Sequence, residues 1–360
     1  MFRTLPLASL LLLACSSGLG QLAGVSSQVA SAPQSGSGAP ATAQRVSKQG
    51  RLTEDAPRVL QPGSPKPVLV PPFAHMDGAK CDSSSNMYFR LAGARHSESI
   101  LEISHDGARS GAFAPPKPEK PDALGMAGFR DFFVTPPGEI YDLLQNENDQ
   151  GVVVIEFNPD GSVQHTVKPE VPERLMAASL AVFDDGALLL QGYIRVAPGS
   201  NAAKNYAAVF DASGKLRREL TGFPELDLAA QSKSIQDAGL AAGQDGNVYL
   251  LDANVITVVS ATGEIARRIP YRKPDPALIA RGLTVSEGLI AITVLEPQGD
   301  SFVPRFLVVR ADDGRTFGYY TLPDESHNLS ALCFSGNDGF TFLKLQLEEQ
   351  KLTLVNAPLR

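Results

Sequence analysis

Residues 243–263 read GQDGNVYLLDANVITVVSATG. Two apolar runs, Val248–Leu251 and Val255–Val259, are rich in Val, Ile, Leu and Tyr, and Gly246 and Gly263 mark the turns that bound them. Such residues favour strands, while Asp-Gly and Thr-Gly steps supply the positive φ and the side-chain to backbone hydrogen bonds that tight turns need. One pair of strands is marginal in water. The chain repeats the unit, however: a strand running into a small or acidic residue and a Gly recurs in ILEISHDG (Gly107), VIEFNPDG (Gly161), AVFDASG (Gly214), TVVSATG (Gly263) and LVVRADDG (Gly314), a period of about 50 residues. A second series precedes an apolar strand at Asn86, Gly138, Gly186, Gly246, Gly288 and Gly339.

Each unit then has room for four short strands, and a repeat of that length is a propeller blade. The expectation is an all-β, six-bladed β-propeller over residues 58–360, with four-stranded antiparallel blades. In the unit around Gly246 the strands, counted outward from the channel, are Leu240–Ala242, Val248–Leu251, Val255–Val259 and Ile265–Ile269. The last unit, with Phe340–Leu347 and Leu352–Val355, lacks an outer strand before Arg360, whereas Val59-Leu60 and Val68-Leu69-Val70 precede the first blade. Closure by this N-terminal segment, as the outer strand of the last blade, removes the open sheet edges of a linear array.

Gly246-Asn-Val-Tyr-Leu-Leu-Asp252 with Ala261-Thr-Gly-Glu-Ile265, and likewise Val209-Phe-Asp-Ala-Ser-Gly-Lys215, resemble NHL-type and related six-bladed propellers, which include the SMP-30 lactonases. The likeness is one of rhythm across residues 73–360 and is close only around Gly246. Asp252-Ala253-Asn254 stands where the NHL pattern has Asn-His or Asn-Arg, and WD dipeptides and YWTD motifs are absent. The resemblance implies the fold. For a lactonase-like or lyase activity it further implies Glu, Asp and Asn converging on one divalent cation, for which Asp77, Asp131 and Asp237 are the residues to recruit.

The N-terminus reads as a targeting segment: Arg3, then an apolar run from Leu5 to Ala14 that is too short to span a bilayer as a helix. Residues 1–20 are thus a signal peptide. Leu12-Leu13-Ala14-Cys15 resembles a bacterial lipobox, in which Cys15 carries lipid; ordinary cleavage after Gly20 or beyond is the alternative. Residues 21–57, dominated by Ser, Ala, Gly, Gln and Pro, read as a disordered tether spanning roughly 35 Å. These features point to export from a bacterial cell, to the periplasm, the outer membrane or the medium.

At 360 residues and 43% hydrophobic content the chain can bury a large core, and 32 Gly with 27 Pro favours turns over long helices. A net charge of -7 without basic blocks argues against nucleic acid. HExxH, CxxC, GxSxG and phosphate-loop motifs are absent, and the five His form no metal-spaced pair, so no metal or other cofactor is expected outside the lactonase reading. The sequence points to a monomeric binding or scaffold protein for a protein, peptide or saccharide.

The b–c and d–a connections share one face and include the long segments Gly93–Glu98, Asn146–Gly151, Val196–Lys204, Pro297–Ser301, Pro115–Leu124, Phe223–Gln236 and Pro270–Pro276. A rigid scaffold presents its binding loops there. Aligning the inner strands puts Asp77, Arg130, Ala178, Ala238, Arg281 and Ser330 in one layer at that mouth, with His75 and His327 close by. Arg130 and Arg281 suit a carboxylate or phosphate, which a guanidinium meets with a planar fork; salt bridges that tie blades together are the other reading. Cys81 and Cys333 fall late on the inner strands of the first and last blades, which closure makes neighbours. A disulfide or two buried thiols follow from that position.

Overall fold

The structure is a computed structural model. It describes residues 56–70, 75–92, 99–115, 127–146, 151–197, 202–222, 225–227, 239–252, 254–298, 301–323, 328–336, 338–346, 349 and 351–359. The chain divides into two units, Met1–Arg51 and Leu52–Arg360. The signal peptide, Cys15 and nearly all of the tether lie outside the described residues.

All regular structure among the described residues is strand, arranged in six sheets. Two short strands lead: β1 (Arg58–Val59) and β2 (Lys66–Val68). Blade 1 holds β3 (His75–Cys81), β4 (Met87–Ala92), β5 (Ile100–Ile103) and β6 (Arg109–Phe113); blade 2 holds β7 (Ala127–Val134), β8 (Ile140–Asn146), β9 (Val152–Phe157) and β10 (Val163–Val167). Blade 3 runs through β11 (Leu175–Val182), β12 (Leu188–Arg195), β13 (Ala202–Phe210) and β14 (Leu216–Glu219), with β15 (Glu225–Asp227) also on β13. Blade 4 is β16 (Gly239–Ala242), β17 (Val248–Asp252), β18 (Val255–Val259) and β19 (Ile265–Pro270), within a residue of each expected boundary. Blade 5 is β20 (Ile279–Ser286), β21 (Leu289–Gln298), β22 (Ser301–Arg310) and β23 (Thr316–Thr321); blade 6 is β24 (Asn328–Ser335), β25 (Gly339–Gln346) and β26 (Lys351–Pro358).

The outer strand of blade 6 is β2, antiparallel to β26 with Lys66 opposite Leu354 and Val68 opposite Leu352. The segment before it is also engaged. β1 runs parallel to β23, Leu60 N–H donates to Thr321 O at 2.8 Å, and Gly63 N–H donates to Asn356 O at 2.7 Å. One N-terminal stretch therefore stitches blade 5 to blade 6. Inner strands approach in the order β3, β7, β11, β16, β20, β24 and back to β3, which closes the ring.

The core lies between blades. Tyr88 of blade 1 packs with Phe132 and Phe157 of blade 2; Phe306 of blade 5 packs with Phe340 of blade 6; and Phe89 of blade 1 meets Leu343 and Leu354 of blade 6. The repeated outer-turn glycines serve this stacking as well as the turn. Gly161 has φ +84, and a Cβ there would lie 2.6 Å from Ala112 O of the preceding blade; Gly214 has φ +89, with its Cβ 2.8 Å from Lys168 O. Only a residue without a side chain meets both demands.

Two expected loops are shorter than the sequence indicated. Pro297 and Ser301 belong to strands, opposite Phe302 and Gln298, so residues 299 and 300 alone connect them. In blade 3, β13 already begins at Ala202, and part of the 223–236 segment adds β15 to the sheet.

Candidate functional site at the channel mouth

Near the face of the b–c and d–a connections, five inner strands slip by one residue against their neighbours. The breaks fall between Asp77 and Ala79, Phe129 and Asp131, Ala177 and Ser179, Ala280 and Gly282, and Leu329 and Ala331. The extra residues are Gly78, Arg130, Ala178, Arg281 and Ser330. In blade 4 the corresponding position, Ala238, lies outside the described residues. A β-bulge re-aims side chains and loosens the ladder locally, and bulges concentrate beside binding sites. The layer read from sequence coincides with the bulged positions except in blade 1, where Asp77 pairs with Arg90 and Gly78, at φ +56, is the extra residue. Glycine adopts that conformation at the least cost.

His75 opens β3, and the side chains of His75, Asp77 and Arg130 lie outside the described residues, as does all of His327. Arg281 is described fully. Its side chain is exposed, lines the channel and makes no hydrogen bond or ion pair among the described residues.

Stacking the strands on their bulges gives two further rings. The residues after the bulge are Ala79, Asp131, Ser179, Gly239, Gly282 and Ala331, and those after them are Lys80, Phe132, Leu180, Leu240, Leu283 and Leu332. The first ring is small except for Asp131; the second is apolar except for Lys80. These two departures meet: Lys80 Nζ lies 3.3 Å from Asp131 Oδ1, with side chains 21% and 14% exposed. Asp131 Oδ2 also accepts Leu180 N–H at 3.1 Å. One carboxylate thus joins blades 1, 2 and 3 in the channel wall.

The rings enclose a cavity of about 470 Å³ on the loop side, bordered by Arg281, Lys80, Asp131, Ser179 and Thr284. Thr293, Leu295 and Phe306 of blade 5 extend its wall. A second cavity, of about 100 Å³, lies toward the short-turn face among Cys81, Asp82, Ser83, Gln244 and Ser286. Lys80, Leu240, Leu283 and Leu332 border both cavities, so they form the floor of the larger and the roof of the smaller. The larger cavity is a cup with Lys80 and three leucines at its floor and Arg281 at its rim.

Around the smaller mouth the first blade grips both neighbours. Ser83 donates to Pro136 O of blade 2 through N–H (2.9 Å) and Oγ (2.7 Å), and Ser85 Oγ donates to Phe334 O of blade 6 at 3.0 Å. Tyr88 donates its hydroxyl to Asp82 Oδ2 at 3.1 Å, and burial, followed by the Asp82 charge, pushes its pKa well above the usual phenol range. This end reads as a fastening. Among the described residues, no three His, Cys, Asp or Glu side chains stand close enough to share a metal ion.

Fold and site together define a six-bladed β-propeller with a cup at one end of its channel. No protein-family model matches the chain, and no curated protein matches it. Similar solved structures include a putative gluconolactonase, 16% identical, covering 84% of this chain and 96% of its own with a TM-score of 0.45. Another is a calcium-binding protein, regucalcin, from Agrobacterium tumefaciens, 16% identical over 82% of this chain and 95% of its own, TM-score 0.46. A third is the Pan2 WD40 domain of Neurospora crassa, 9% identical over 80% and 90%, TM-score 0.45.

Proposed function

We propose that the protein is an exported binding propeller of the bacterial cell envelope, held on an N-terminal tether, that takes its ligand into the channel cup. The observation that carries this reading is Arg281: an exposed guanidinium, without a hydrogen bond or ion pair among the described residues, that lines a cavity of about 470 Å³, within the usual size of small-molecule sites. Export is supported by Arg3 and the apolar run from Leu5 to Ala14, and by the Cys81–Cys333 disulfide, a bond that persists in oxidising compartments. Cys15 as a lipid site would anchor the chain to the membrane.

Gly282 supplies the test. It lines the cup, its φ is not positive, and a Cβ built there meets nothing within 4 Å, so a side chain can start there without a backbone clash and take up space in the cavity. Purified protein is incubated with envelope extract, recovered, and its bound component identified by mass spectrometry. Gly282→Phe should melt like the parent and return empty. Retention of the same component by Gly282→Phe overturns the cup as the binding site.

A further inference from the structure

We infer that the cup selects a small hydrophobic carboxylate, such as an aromatic or medium-chain acid, with its anionic group at Arg281 and its apolar body on the leucine floor. The inference rests on the cup being the binding site. Among the described side chains of the cup, Lys80 and Asp131 neutralise one another at 3.3 Å, which leaves the charge of Arg281 uncompensated. Ser179, Thr284 and Thr293 add neutral hydroxyls. A guanidinium free of any carboxylate partner offers its planar fork to one.

The depth of the cup specifies the rest of the molecule. Leu283 follows Arg281 by two residues on the same strand, so the floor lies about 7 Å or less below the rim at the usual strand rise. That is the distance from a carboxylate to the far edge of one aromatic ring. At the floor Leu240, Leu283 and Leu332 stand beside Lys80, whose charge Asp131 meets, and Leu295 and Phe306 stand in the wall. A ligand that puts hydroxyls on these residues loses hydration without recovering hydrogen bonds, whereas one that puts carbon there gains by burial. The cup therefore discriminates at both ends.

Isothermal titration of the full mature chain with benzoate, benzamide, acetate and inorganic phosphate tests this. Benzoate is expected to saturate one site per chain, with benzamide, acetate and phosphate each weaker by roughly tenfold or more. Arg281→Gln should bring benzoate down to the level of benzamide and leave benzamide unchanged, and Gly282→Phe should abolish both. Acetate or phosphate binding as well as benzoate would remove the apolar body from the argument; equal binding of benzamide, or an Arg281→Gln protein that still prefers benzoate, would remove Arg281. Absence of benzoate binding overturns the ligand class, and if Gly282→Phe still empties the protein of its envelope component, the cup itself stands.

Discussion

Cys81 and Cys333 are joined as a disulfide across the seam between the first and last blades, with Cα atoms 5.8 Å apart and a sequence separation of 252. Cys333 is wholly buried beside Met87, Phe89 and Leu343. The bond fastens the ring from inside, while β2 on β26 fastens it from outside. Thiol titration of the unfolded, unreduced protein should find neither cysteine reactive. Replacing both with Ala should cost about 2–5 kcal/mol, since the cross-link restricts a long loop of the unfolded chain. Two reactive thiols would show that the bond does not form.

The N-terminal stitch carries its own expectation. Leu60 is 2% exposed and packs with Phe306, Tyr320 and Phe340, so its role is that of a core residue although it lies outside the repeats. Leu60→Ala should cost about 2–5 kcal/mol. Deleting residues 58–70 should lower the melting temperature sharply by baring β26 and β23, whereas deleting residues 21–50 should leave it unchanged. Equal melting of both deletions and the parent would contradict closure by this segment.

Arg90 and Asp142 form an ion pair of 2.5 Å between blades 1 and 2, with side chains 5% and 0% exposed. Elsewhere in the repeat the positions equivalent to Asp142 hold Leu190 and Leu250. Asp142→Ala should destabilise by about 3–5 kcal/mol because it strands a buried guanidinium. The pair Arg90→Leu with Asp142→Leu should recover most of that loss, as paired apolar replacements of buried ions often do. Urea unfolding of the three proteins decides it, and a double variant as unstable as the single one would show that the charges hold more than each other.

How much of this was legible beforehand follows from what each signal reports. Turn chemistry is local, so Gly107, Gly161 and Gly214 disclosed the period, and Val248–Val259 disclosed its strands nearly to the residue. Closure was legible because a missing strand and a spare one can be matched by count. The hairpin around Pro297 was not: Pro and Gly mark loops on average, yet β21 and β22 continue past Pro297, and buried Arg305 pairs with Glu296 across them at 2.9 Å. Lys80 was not legible either, for a different reason. A single Lys in one strand carries no information until six inner strands are superposed, and that needs the bulges, which are slips of register that leave no compositional trace.

Acid should unfold the protein through its turns. Hydrogen bonds from the Ser104, Ser162 and Ser213 hydroxyls hold Asp106, Asp160 and Asp211 below the usual carboxylate range, and the Arg315 backbone N–H does the same for Asp313. A folded pKa below the unfolded one gives stability that is complete above the unfolded value of about 3.9 and is lost as pH falls through the folded value. Melting temperature should therefore stay level down to about pH 5 and decline below about pH 4. Replacing these four residues by Asn, whose amide oxygen still accepts but does not titrate, should flatten the decline. An unchanged acid slope would assign it to other carboxylates.

The last expectation separates a structural from a functional role for Lys80 and Asp131. Four of the six blades have Leu where Lys80 stands, and two have Ala where Asp131 stands, so Lys80→Leu with Asp131→Ala gives these positions residues that other blades already carry. Asp131→Ala alone should destabilise by about 1–3 kcal/mol, because Leu180 N–H loses its acceptor and Lys80 its counter-charge. The double variant should regain part of that loss, since an apolar residue then replaces the stranded ammonium. Local rules broken without a gain in stability mark sites kept for function. Chemical denaturation of the two singles and the double gives the coupling directly. A double variant less stable than either single would show the pair to be a fastening of the first three blades and remove it from the cup's chemistry.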